Sequence, residues 1–150
     1  MISISDAIVE VGYLPPVRAV MARLSGKVDE NDVARWTELL DRALAWVPDG
    51  TEIVVLSNLH GYEPASLDAH KAMRVVVPAR LAAHGFRSGL VDVAGGSIDV
   101  NPAPRIVISK VAHVHHDATK MAGYEAKVGR EHERYFSDPA HANAWLLFDP

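Results

Sequence analysis

Histidine is concentrated in one short stretch, His113-Val114-His115-His116-Asp117. On a strand, His113 and His115 point to the same face, and such a His-x-His pair presents two imidazoles to one metal ion. The stretch offers His116 as well, and His60 is the best remote ligand. Asp117 is wanted elsewhere, as a helix N-cap, and the order His116-Asp117 is the reverse of the x-Asp-His that metal hydrolases use. The competing reading is structural, because histidines at strand ends satisfy backbone groups or face water. A metal or small-ligand site built from His60, His113, His115 and His116 requires these residues to share one edge of the fold.

A second group, Ser57-Asn58-Leu59-His60-Gly61-Tyr62-Glu63, gathers a hydroxyl, an amide, an imidazole and a carboxylate. No Gly-x-Ser-x-Gly elbow surrounds Ser57 or Ser66, so acyl transfer is not supported. Gly95 and Gly96 are followed by Ser97-Ile98-Asp99, without the lysine or helix start of a phosphate cradle. Asp29, Glu30 and Asp32 are accounted for by the positive end of a helix dipole rather than by acid–base work. With no complete catalytic constellation, Asn58, His60, Tyr62, Glu63 and Ser66 are expected to form a binding surface.

The elements that must carry these residues follow from the apolar pattern. Residues 53–56 read Ile-Val-Val-Leu, an uninterrupted apolar run expected of a central strand covered on both faces. The loop after it then lies at a strand's carboxyl end, where open α/β sheets place ligands and partners. Before it, strands are expected over 7–11 and 17–24, antiparallel, with Gly26 ending the second. A helix capped by Asp29 carries Val33, Trp36, Leu40, Ala43, Leu44 and Val47 on one stripe, with Trp36 and Trp46 assigned to core packing.

After the central strand, a helix starts at Pro64 or Ser66 and runs to His84, burying Ala69, Met73, Val76, Val77 and Leu81. Pro78 cannot donate to the carbonyl of Arg74, so a kink is expected there; an apolar carrier pocket beneath it is a third functional reading, resting on the kink alone. Residues 89–93 read as a strand, and 98–100 as one further turn of strand. Beyond these come a strand over 106–114, a helix from Asp117 to Lys127 and a short strand over 131–136. A closing helix over 140–148 should dock Trp145 and Phe148 on the sheet.

The 150 residues suit a single domain spanning 1–150, and the absence of cysteine excludes thiol nucleophiles and thiolate metal sites. A net charge of −4 with 15 scattered Lys and Arg gives no electrostatic footprint for nucleic acid. Residues 1–11 lack the basic start of a signal peptide, and no apolar run approaches ~18 residues, so no transmembrane segment and a cytoplasmic location are expected.

The central strand followed by Asn58-x-x-Gly61-Tyr62 and a helix, and the tail Glu133-Arg134-Tyr135-Phe136-Ser137-Asp138-Pro139 leading to Ala144-Trp145-Leu146, resemble the SpoIIAA-like family of STAS-type proteins. The run His115-His116-Asp117-Ala118-Thr119-Lys120-Met121 is similar to a variant in uncharacterised bacterial members. The resemblance implies a mixed four- to five-stranded sheet with helices packed mainly on one face. It also implies a regulatory or protein-binding role, through a protein partner or self-association. In related anti-sigma-factor antagonists a serine at the start of the helix after the central strand is phosphorylated. Ser66 occupies roughly that place, but Ala65 and Leu67 beside it depart from the Asp-Ser-Ser/Thr-Gly pattern, and an N-cap is the alternative role. The expectation is therefore a non-enzymatic domain acting through the loop and helix after the central strand, without a cofactor unless the histidines take a metal.

Overall fold

A computed structural model describes residues 7–149. The reading of residues 1–11 as leaderless rests in part on residues 1–6, which lie outside the described residues. Strand β1 (Ile8–Leu14) turns through a 3-10 segment, Pro15–Val17, into the antiparallel β2 (Ala19–Val28). Arg18 closes that turn in the left-handed region at φ 50°, with its N–H donating to the Pro15 carbonyl at 3.2 Å. Gly26 does not end β2. It takes φ 77° and lets the strand run on to Val28.

Helix α1 (Glu30–Trp46) opens with a reciprocal capping box: the Asp32 N–H donates to Asp29 at 2.8 Å, and the Asp29 N–H to Asp32 at 3.0 Å. Its stripe of Val33, Trp36, Leu40, Ala43 and Leu44 is buried as expected. Trp46 is not; it is 78% exposed. At about 100° per residue it lies about 80° round the helix from Trp36, off the stripe.

Strand β3 (Glu52–Leu59) is central, hydrogen-bonded in parallel to β2 on one side and to β5 (Val107–His115) on the other. Its Ile53 and Val55 join the large core beneath α1, while Leu56 joins a second core on the opposite face. The loop beyond β3 contains a strand not foreseen, β4 (Tyr62–Pro64), which pairs with the far end of β2.

The next helical stretch is divided into α2 (Leu67–Arg74) and α3 (Val76–Ala83), breaking at Val75, where Pro78 withholds its hydrogen bond. Residues 90–93 are a helical turn, α4 (Leu90–Val93), and not the expected strand; residues 98–100 are irregular. A short apolar run does not distinguish strand from buried helix, and here the Glu133 carboxylate binds Gly89 N–H and the Ser88 hydroxyl, holding the segment over the sheet face.

Helix α5 (Ala118–Val128) is capped by Asp117, and β6 (Glu133–Phe136) pairs in parallel with β5. Helix α6 (Pro139–Phe148) sets Ala142 and Leu146 against Leu56, Ala112 and Val114 on the second face. Trp145 packs there, 5.9 Å from the Phe136 ring, whereas Phe148 at the helix end is 81% exposed instead of docked. The main sheet order is β1-β2-β3-β5-β6, five strands with β4 added beside β2. The mixed sheet carries α1 to α3 against one core and α6 against the other.

Candidate functional site

The carboxyl ends of β3 and β5 lie side by side, with Ser57 opposite His113 and Leu59 opposite His115. Above them is a cavity of about 340 Å³, within the ~300–1,000 Å³ typical of small-molecule sites. Its floor is Ser57, His113 and Tyr135. One wall is the α2–α3 break, with Met73, Val75, Val77 and Pro78; α4 supplies Leu90 and Val93, and α5 supplies Met121 and Tyr124. Trp36 reaches it from α1. The cavity thus lies beside the Pro78 break.

The floor is held by a buried polar chain. Glu133, 0% exposed, accepts from His113 Nε2 at 2.7 Å, from Ser88 Oγ at 2.5 Å and from Gly89 N–H at 2.7 Å. Burial raises the carboxyl pKa, but the hydrogen bonds and the imidazole outweigh it, and the net shift is downward. The ionised carboxylate only accepts, so His113 Nε2 carries a proton. The His113 ring stacks on Tyr135 with centroids 4.8 Å apart.

Among the described residues, two buried polar atoms of lining side chains have no hydrogen-bond partner: Trp36 Nε1 and Tyr135 Oη. Burial drives the Tyr135 phenol pKa strongly upward, so it keeps its proton. Ser88 lies close enough to influence that acidity, but the phenol meets hydrogen-bond geometry with no group among the described residues. Among the described residues, charge along the lining has one sign: Lys71, Arg74 and Lys120, with no carboxylate. None of these cations forms an ion pair among the described residues. Two lining imidazoles, His70 and His115, are held towards their neutral form. His115 is lowered to about 4, chiefly by burial and then by Lys120 and His116; His70 is lowered by burial, Lys120 and Arg74.

The expected metal set divides. His60, His115 and His116 do meet at one edge, with His60 and His116 rings 5.9 Å apart and His115 and His116 stacked at 4.2 Å. Their hydrogen bonds are structural, however. His116 Nδ1 accepts from Gly61 N–H at 3.0 Å, and His115 Nδ1 accepts from Asp117 N–H at 3.0 Å. Metal binding through Nε2 would require a proton on Nδ1, directly against those backbone donors. His113 is committed to Glu133, and among the described residues no three His, Asp or Glu are arranged to hold a metal ion.

The expected binding surface is partly internal to the fold. Asn58 Oδ1 accepts from His60 N–H at 3.0 Å, which shapes the turn. Tyr62 is 4% exposed and its hydroxyl lies 3.2 Å from His70 Nδ1, so it packs rather than presents itself; burial lifts its pKa to about 12. His60, Glu63 and Ser66 are exposed. Ser66 Oγ accepts from Ala69 N–H at 3.1 Å, the N-cap geometry. Sequence reading misses Trp36, Ser88, Glu133 and Tyr135 as site residues. The available signal is the alternation of Glu133 and Tyr135 on one face of β6, which puts a carboxylate beside an aromatic ring on an inward face.

The fold that positions this cavity is SpoIIAA-like. A structure of an uncharacterised protein of the DUF3478 family from Shewanella loihica PV-4, described as having a SpoIIAA-like fold, aligns over 97% of this chain and 98% of its own. The TM-score is 0.54 at 17% identity. No protein-family profile matches the chain, and no curated protein is detectably similar in sequence. Among the described residues, no helix is long and apolar enough to cross a membrane.

Proposed function

We propose that the protein is a non-enzymatic ligand-binding regulatory domain that takes a small, largely apolar organic molecule beneath the α2–α3 break. The cavity of about 340 Å³ at the carboxyl ends of β3 and β5 carries this reading. Its wall is mostly apolar, with Ser57, His113 and Tyr135 on the floor and Lys71, Arg74 and Lys120 towards solvent, a composition that suits a small-molecule site. The histidines contribute through His113 and His115 in the lining, not as metal ligands.

A thermal-shift and native mass-spectrometry screen of small organic compounds tests it. At least one compound is expected to raise Tm and to remain bound at 1:1 stoichiometry. Met73→Trp, which fills the cavity, and Ala94→Trp, placed at an exposed lining position, should each abolish the shift. Stabilisation undiminished in both variants would refute the assignment, as would turnover across ester, phosphate or nucleotide panels.

A protein partner is a second reading, in which α2 and the loop over 58–66 report ligand occupancy. It is favoured by Leu67 and Val75, 67% and 62% exposed at the two ends of α2. Affinity capture from the native cell with Leu67→Ser as the control tests this reading; recovery of the same protein by both baits would remove it.

A further inference from the structure

The chemistry of the cavity specifies its occupant more narrowly than size does, provided that the cavity is the ligand site proposed for it. Its charged lining groups are Lys71, Arg74 and Lys120, all cationic, without a carboxylate in the lining and without an ion-pair partner among the described residues. Lys71 and Arg74 are exposed and Lys120 is half-buried, so they mark the solvent side. Trp36 and Tyr135 are 0% and 5% exposed, and among the described residues their Nε1 and Oη atoms meet hydrogen-bond geometry with no partner. A buried indole N–H is a donor only, and an unmade bond there carries a desolvation cost that a ligand acceptor would remove. Met73, Val77, Leu90 and Met121 line the space with apolar side chains.

We infer that the ligand is an organic acid with an apolar body, its carboxylate among Lys71, Arg74 and Lys120 and an oxygen acceptor at its inner end that reaches Trp36 Nε1 or Tyr135 Oη once the packing that seals those atoms gives way on binding. A hydrocarbon would leave both donors unpaired. A cation would meet three like charges.

The test uses the intact protein and a graded series of oxoalkanoates, each carboxylate bearing a ketone towards its far end, alongside the alkanoates without the ketone and the methyl esters of the oxo acids. Binding is measured by calorimetry, and the Trp36 indole N–H resonance, assigned from Trp36→Phe, is followed by NMR. At least one oxo acid should bind about fivefold or more tightly than both matched compounds and move the indole resonance downfield. Trp36→Phe should remove the preference for the ketone while keeping that for the acid. Arg74→Gln with Lys120→Gln should do the reverse. Tyr135→Phe provides a second acceptor probe should Trp36→Phe fail to fold.

Equal affinity for oxo acid and alkanoate would overturn the inner acceptor, and equal affinity for acid and ester would overturn the cationic recognition; either leaves the cavity standing as a ligand site. Absence of binding across the whole series overturns the inference. If the broader screen also finds no ligand, the ligand-binding reading falls with it.

Discussion

His113 and Glu133 meet across β5 and β6 with 2.7 Å between Nε2 and Oε2, both nearly removed from solvent. The pair is paired in its turn, since the same carboxylate also secures Ser88 and Gly89 at the start of α4. Sheet and helical cover are thereby joined through one ionised group. Removing one member of a buried pair costs about 3–5 kcal/mol because the other is left uncompensated. Glu133→Ala is expected to fall in that range by urea denaturation, with loss of hydrogen-exchange protection over 88–94.

The same carboxylate gives the stability a pH dependence. Its folded pKa lies below its ordinary 4.5, so its contribution is complete above about that pH and is lost as pH falls through the folded value. Glu133→Gln should flatten this acid limb in denaturation curves collected between pH 5 and 3. An unchanged slope would show that Glu133 is not the responsible group.

His115 acts at higher pH. Its pKa falls from 6.5 to about 4 in the folded chain, so the native state favours neutral imidazole. Its contribution is complete above about pH 6.5 and declines as pH drops from there towards 4. His115→Gln should lose less stability than the parent over that interval, and NMR titration of the ring should give a midpoint near 4.

Gly89 is fixed by space rather than by backbone angle. A Cβ there would lie 2.7 Å from Val128 Cβ and 3.3 Å from Glu133 Oε1. Gly89→Ala should cost about 1–3 kcal/mol, as overpacking does, and shift the backbone resonances of α4 and α5 together.

The tryptophans separate core from surface. Trp36→Ala should cost about 3–5 kcal/mol, whereas Trp46→Ser should stay within about 0.5 kcal/mol of the parent. Chemical denaturation of both decides whether Trp46 contributes to the core.

Much of the scaffold is legible in the sequence because its signals are local. Asp29 and Asp32 announce their helix by spacing, residues 53–56 announce a buried strand by unbroken apolarity, and Pro78 marks the break between α2 and α3. Ser66, Asp117 and Asp138 each cap the helix after them. Residues 89–93 mislead because apolar pattern alone does not tell a turn of helix from a strand, and the group that decides the matter, Glu133, is more than 40 positions away. The site is less legible for the same reason. Trp36 belongs to a helix stripe, and only the assembled sheet shows that its indole nitrogen has been left without a partner. The histidines suggest metal ligands by their spacing, but three-dimensional pairing gives His113 to a carboxylate and gives the Nδ1 atoms of His115 and His116 to backbone donors.

The hand-over along β2 has a mechanical result. Its far edge is hydrogen-bonded to β3 as far as Arg23 opposite Asn58, and from Gly26 onward to β4. The segment leaving the central strand is therefore stitched back at once, and that flank resists deformation. The α2–α3 break over the cavity carries no such ladder, and the ligand proposed above would enter and leave there.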